Sequence, residues 1–461
     1  MFHIKAVVTP SVKESILLVA LIVAAISVSL IRFGAAPHLP ILFSILLLIC
    51  YGLIKKVPYR QLESGLVQGA GAGMSAVFLF FFIGILISTW MMSGTIPTLI
   101  YAGFHLITPL FFFAIVFVIA GIVGLAIGSS LTTVATVGVA FIGMATVLDV
   151  SLAITAGAIV SGAFFGDKMS PVSDTTNLAS SIAGVDLFTH IRNMGWTTIP
   201  AFFISLIIFA ILSPDVVLTD LEKIQAFQEG LLATGTIHWY AILPLVALVI
   251  LTIKKVPAMM NLAVSSILAI ALSYLHQSYA VSEVFGILFG GYVSETGVAD
   301  VDQLLTRGGM QSMFFTIGLV LLSLSMGGLL FTLGIVQTLL GKVESLLNKV
   351  SSVIAAAAMT AIGINILVGE QYLSILLTGQ AFRGQFDKLG LAGKNLSRVM
   401  EDAGTVVNPL VPWSVCGIFI TSVLGVSTLS YLPFAFFCFL CPVLTVVFGI
   451  TGKTLTYNKR N

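Results

Sequence analysis

Residues 161–180 read SGAFFGDKMSPVSDTTNLAS, and their reading decides what kind of fold the chain has. From Ser64 to Leu148 there is no Asp, Glu, Lys or Arg. Asp167, Lys168 and Asp174 then arrive close together among Ser, Thr, Asn, Gly and Pro. A charge at the centre of a bilayer helix costs about 2.5–3.5 kcal/mol on insertion scales, and ionisable residues at that depth line ion or proton paths. A plain anchor would carry Leu and Val there. Gly162 and Gly166 loosen the helix, and Pro171 lacks the N–H needed to continue it. The segment 166–176 is therefore expected to unwind at membrane depth and free its carbonyls. Asp167 and Asp174 add anionic oxygen; Ser170, Ser173, Thr175, Thr176 and Asn177 add neutral oxygen. Ligation by oxygen alone suits a hard cation such as Na+. The competing structural use is an Asp167–Lys168 salt bridge, with Asp174 capping the next helix as Asp, Ser and Thr commonly do. Because Lys168 stands beside Asp167, the reading leans to Asp174 as the main ligand.

Composition sets the frame. The chain of 461 residues is 58% hydrophobic and 9% charged, with a mean hydropathy of +1.11. Soluble domains carry about 25% charged residues, so the chain reads as an all-α polytopic membrane protein. At about 20 apolar residues per span, it has room for about 11–13 transmembrane helices. The net charge of +2 points to no nucleic-acid partner. The run 16–31 follows a short basic leader, lacks a small-residue cleavage site, and reads as a retained first helix. Cys438 and Cys441 form C-x-x-C inside an apolar helix and read as packing residues beside Cys50 and Cys416. No Walker A pattern occurs, which excludes ATP-driven pumping by this chain alone. No Ser-His, paired-Asp or metal-ligand spacing supports an enzyme or a bound cofactor.

Apolar runs predict helices near 16–33, 41–54, 74–93, 105–122, 150–166, 195–213, 237–253, 258–275, 312–333, 350–366, 395–407 and 430–450. Residues 123–148 and 367–387 are Gly-, Ser- and Thr-rich and short for two crossings. They read as re-entrant hairpins, which survive only where protein or water satisfies their backbone. The polar linker 214–236 divides a first half, 1–213, from a second half, 237–461. The halves repeat with an offset of 241: Gly128 with Gly369, Gly138 with Gly379, Ala140-Phe141 with Ala381-Phe382, Gly143 with Gly384, Pro171 with Pro412, and Gly184-Val185 with Gly425-Val426. Each half thus carries a hairpin and a broken helix, 150–183 and 395–424. Paired, Gly/Pro-interrupted segments of this kind point to a transporter binding site. An even number of predicted crossings between matched elements implies parallel repeats. The loop with Lys55, Lys56 and Arg60 predicts a cytoplasmic N-terminus.

In the second half Asp402 falls opposite Ser161, and Asn408 opposite Asp167. Asp402, Thr405 and Asn408 are candidate site residues; Glu401 reads better as an interfacial acid at a helix start. The hairpin tips bring Ser129 and Ser130 on one side, and Glu370 and Gln371 on the other. Half-helix N-termini at such tips attract ions through N–H dipoles and hydroxyls. Asn365 stands a turn before the second tip. Arg383 is the candidate for an anionic substrate, against pairing with Asp387 or snorkelling. Among the six histidines, His105 is the deepest candidate for a proton relay.

The stretch GDKMSPVSDTTNLAS at 166–180, followed by GVDLFTHIRNMGW at 184–196, resembles the signature of the NhaC-type Na+/H+ antiporters of the ion-transporter superfamily. The resemblance implies two inverted repeats, each with a re-entrant hairpin and a broken helix, in an elevator-like homodimer of the bacterial plasma membrane. It also implies that the tips near Ser129-Ser130 and Glu370-Gln371 meet the breaks at 166–176 and 405–412. The family includes exchangers of malate with lactate coupled to Na+ and H+. The expected activity is export of Na+ in exchange for protons by alternating access, with Asp174, Glu370 and Asp402 as the shared metal-ion oxygens. A small-carboxylate exchanger of the same fold is the alternative.

Overall fold

The computed structural model describes residues 5–106, 110–213, 221–344 and 349–458. The described residues form helices joined by short turns, with only isolated bridges at Tyr292–Arg307 and Leu391–Tyr457. The chain is the polytopic all-α protein that its composition predicts. Seven helices among the described residues are long and apolar enough to cross a membrane: Val12–Phe33, Met74–Met92, Ser130–Val147, Leu152–Met169, Leu187–Leu212, Met310–Thr332 and Val350–Val368. Two bent pairs, Gly393–Leu410 with Val415–Leu424 and Thr428–Phe434 with Phe436–Thr451, raise the count to nine. Six more apolar helices are shorter than 18 residues.

The repeat seen in the sequence is visible in the caps. Gly128 and Gly369 each end a helix in the left-handed region, at φ 65° and 75°. Ser129 and Glu370 follow as the N-caps of the returning limbs. Ser173 and Ser414 cap the helices after the two breaks, and Gly184 and Gly425 end them at φ 66° and 71°. Every one of these pairs keeps the offset of 241. The paired layout is consistent with the inverted repeats that the family resemblance implies. The even crossing count rested on apolar runs that the chain divides differently. Tyr59–Ala72 is a helix that the runs did not show. The run 105–122 touches two helices, Thr95–Leu106 and Phe112–Ile127.

Tyr59–Ala72 escaped hydropathy because glycine, not leucine, makes its contact face. Gly65 and Gly69 lie directly against Gly328 and its neighbours in Met310–Thr332. Small residues of this kind let membrane helices approach backbone to backbone. The same device joins Phe112–Ile127 to Leu152–Met169, through Gly121 and Gly124 on one side and Gly162 and Gly166 on the other. A Cβ on Gly166 would collide with the backbone of Leu125 and Gly121. Backbone cannot rotate aside as a side chain can, so Gly166→Val is expected to exceed the usual overpacking cost of about 1–3 kcal/mol. Gel filtration and thermal unfolding in detergent should show loss of the monodisperse species.

Two turns have the same sequence. IKKVP occurs at 54–58 and 253–257, and in both the second lysine is left-handed, at φ 62° and 59°. The first of these turns sits beside the start of Val12–Phe33, where Lys55 pairs with Glu14 at 2.6 Å. In the linker before Met310–Thr332, Asp302 accepts from the backbone N–H groups of Thr296 and Gly297 and from two hydroxyls. The Thr296 N–H, foremost, holds this carboxyl down at about 2. Its depressed value means that the loop's tie is complete above the ordinary carboxylate range and lost only as pH falls through about 2.

Candidate functional site

The first tip, the first break and the second tip surround one cavity of about 320 Å³. Ser129, Ser130, Thr132, Asp167, Asp174, Thr175, Asn177, Gln371 and Tyr372 line it, together with Lys255 and Asn261. A larger and more apolar cavity of about 840 Å³ shares Asp174, Gln371 and Tyr372 with it and reaches Glu370.

Asp167 forms the floor. It is 4% exposed, and its Oδ2 accepts the Ser130 N–H at 3.1 Å. The hairpin therefore aims the positive end of its returning helix at this carboxylate. Asp174 lies in the first turn after the break and is exposed to both cavities. It is not the cap: Ser173 fills that position, accepting the Thr176 N–H.

The break stitches its own backbone. Thr176 Oγ1 donates to the Lys168 carbonyl at 3.1 Å, and Asn177 Nδ2 donates to the Ser173 carbonyl at 2.7 Å and the Pro171 carbonyl at 3.2 Å. Ser170 is buried and donates to the Leu125 carbonyl at 2.9 Å, outside the cavity lining. The carbonyls expected to be free are thus largely engaged, and the carboxylates carry the site's negative charge.

Lys168 turns away from Asp167. Its ammonium pairs with Asp402, and both side chains are wholly buried. Asp402 also accepts from Thr445 and, at 3.1 Å, from Thr197. The Asp167–Lys168 bridge weighed from the sequence is not formed, and with it goes the reason for ranking Asp174 above Asp167.

The second half is arranged differently. Glu370 Oε2 accepts the Leu373 N–H at 2.7 Å as a helix cap. At the second break Asn365 Nδ2 donates to the Gly404 carbonyl at 2.7 Å, and Asn408 Nδ2 donates to Asn365 Oδ1 at 2.8 Å. Asn408 Oδ1 accepts the Cys416 N–H at 3.0 Å. Asp402, Thr405 and Asn408 line neither cavity. Asp174 and Glu370 share the larger cavity, but Asp402 does not join them, because Lys168 holds it on the other side of the broken helix. Among the described residues no three His, Cys, Asp or Glu are grouped as a metal cage. Arg383 is exposed, donates to the Ile182 carbonyl at 2.9 Å, and lines neither cavity. The side chain of His105 lies outside the described residues.

Several site-forming residues carry weak sequence signals. Tyr372 follows the tip and faces both cavities. Asn261, an amide in an apolar helix, holds the neighbouring turn by donating to the Leu248 carbonyl and to Thr252. Thr197 and Thr445 look like ordinary membrane-helix threonines until Asp402 is placed between them. Glu401 is fully buried instead of interfacial.

A hairpin tip and a broken helix meeting at a buried carboxylate can be set beside known proteins. The family model described as "Na+/H+ antiporter family" matches residues 162–453, which include the first break and the second half as far as residue 453. The chain is 42% identical over 439 residues to the Na(+)/H(+) antiporter NhaC of Alkalihalophilus pseudofirmus, covering 95% of each chain. It is 35% identical to the arginine/ornithine antiporter ArcD of Halobacterium salinarum, over 96% of this chain and 92% of that one. It is 34% identical to the malate-2H(+)/Na(+)-lactate antiporter of Bacillus subtilis, over 87% of this chain and 86% of that one. With matches this extensive across both repeats, the chain belongs to the Na+/H+ antiporter family.

Proposed function

We propose that the chain is a secondary transporter exporting Na+ in exchange for protons, with Na+ taken at Asp167 and Asp174. One observation carries this reading. Asp167 is buried at the cavity floor with the tip's N–H on one oxygen, while the adjacent lysine is paired elsewhere. A buried carboxylate without a cation partner must bind a cation or a proton, because the bare charge is costly in a low-dielectric site. Ser129, Ser130, Thr175 and Asn177 supply neutral oxygens around it. Gln371 and Tyr372 of the second tip close the far side, so movement of that tip controls access. The driving force is the proton gradient and the membrane potential, worth about 2.3 kcal/mol per charge per 100 mV. The protein works as a homodimer in a bacterial plasma membrane, with its N-terminus and the Lys55–Lys56 turn on the cytoplasmic side.

A small-carboxylate exchanger is the second reading, and Lys255 in the cavity lining is the observation in its favour. Arg383 lends it no support from the surface. Proteoliposomes with a trapped pH dye distinguish the two. Addition of Na+ is expected to move protons without malate or lactate present. A signal that appears only when both carboxylates are supplied would reverse the assignment.

A further inference from the structure

The cavity of about 840 Å³ has far more room than a bare ion uses. Its volume is that of a small-molecule pocket, about 300–1,000 Å³. Leu131, Leu178, Leu324, Leu376 and Val415 give it apolar walls. Water between such walls is poorly held, and an apolar body that displaces it gains free energy by burial.

The charge in the lining has one sign. Asp174 and Glu370 are its carboxylates, and no Lys, Arg or His stands among the described residues that form it. Asp174 takes part in no ion pair among the described residues. An anion is therefore repelled, and a neutral guest leaves the negative charge uncompensated. Gln371 adds a separate demand. It is 7% exposed, lines both cavities, and its Oε1 has no hydrogen-bond partner. A buried acceptor without a donor is costly, so this position calls for an N–H from a guest. Tyr372, next in the chain, offers an aromatic ring beside the acids, and cations are attracted to such rings.

We propose that the larger cavity binds an organic cation, a primary ammonium on an apolar body, and that this amine competes with Na+ for Asp174. An ammonium carries three N–H donors. They serve Asp174 and Gln371 Oε1, while the body lies along the leucines. Glu370, whose Oε2 accepts the Leu373 N–H, adds negative charge at the same end. Asp167 lines the smaller cavity alone, so the amine displaces Na+ without occupying its floor. The competition rests on the Na+/H+ reading; binding of the amine itself does not.

Equilibrium binding of radiolabelled phenethylammonium to purified full-length protein tests this at neutral pH, where an alkylammonium is charged as lysine is. Binding should saturate and fall as Na+ is added. Ethylammonium, which lacks the apolar body, and phenethyl alcohol and phenylacetate, which lack the cation, should each need at least about tenfold higher concentration to displace the label. Gly71 lines only the larger cavity, and a Cβ added there meets nothing within 4 Å. Gly71→Leu should thus weaken the amine at least about tenfold while radiolabelled Na+ binding stays within about twofold. In Asp174→Asn the preference for phenethylammonium over phenethyl alcohol should disappear. Displacement by phenethyl alcohol as good as by the amine would mark an apolar seat of the kind a lipid chain fills, and would overturn the proposal. So would ethylammonium binding as tightly, unchanged amine affinity in Gly71→Leu, a preference that survives in Asp174→Asn, or amine binding that Na+ leaves untouched in protein that binds Na+. Protein that binds the amine with these preferences but binds no Na+ would overturn the antiporter reading and uphold the amine site.

Discussion

Asp167→Asn is expected to lower Na+-driven proton exchange by about 100-fold or more, while Asp174→Asn costs about tenfold or less. The difference follows from where the two carboxylates sit. Asp167 is 4% exposed and is reached by the first tip through Ser130 N–H. Removing its charge leaves that N–H a neutral acceptor and removes the anion that a desolvated cation needs. Hydrogen bonds and contacts to buried charged groups are worth about 1.5–3 kcal/mol each, and each 1.4 kcal/mol is a factor of ten. Asp174 is exposed to both cavities, so water screens it. Initial rates of dye dequenching against Na+ concentration, on equal amounts of inserted protein, measure both variants. An active Asp167→Asn beside an inactive Asp174→Asn would return the main role to Asp174.

Lys168→Met is expected to destabilise the folded protein by about 3–5 kcal/mol, the range for removing one partner of a buried ion pair. The loss would fall on Asp402, left with Thr445 and Thr197 as its hydrogen-bond donors in place of the ammonium. Lys168→Met combined with Asp402→Leu should recover much of that loss, because a buried pair replaced by apolar groups is often near neutral. Thermal unfolding of the two single variants and the double variant in detergent closes the cycle. Additive losses would mean that the two side chains do not act as a pair.

Much of this architecture is legible in the sequence because its signals are backbone signals. Gly128 and Gly369, Pro171 and Pro412, and Gly184 and Gly425 declare the tips, breaks and helix ends at one offset. The polar lining of the first break is legible for a similar reason: Asp167 and Asp174 have no apolar explanation at that depth. What the sequence hides is direction. Asp167 and Lys168 are neighbours in the chain, but successive residues on a helix point about 100° apart, and one faces the cavity while the other faces Asp402. Asp402 and Glu401 pose the same difficulty, since adjacency cannot say which acid meets the lysine. Tyr59–Ala72 was hidden because glycine packing lowers hydropathy in the helices it joins most closely.

The two breaks share a register but not a chemistry. Asn408 stands where the offset puts the counterpart of Asp167, and its amide ties Asn365 to the Cys416 backbone. A duplicated scaffold would begin with two equivalent seats; here one has become a fastener, while the other keeps a buried carboxylate at the cavity. The molecule is thus symmetric as a machine frame and asymmetric as a chemical instrument. On the proposed reading, a passenger boards one half while the other half keeps its shape.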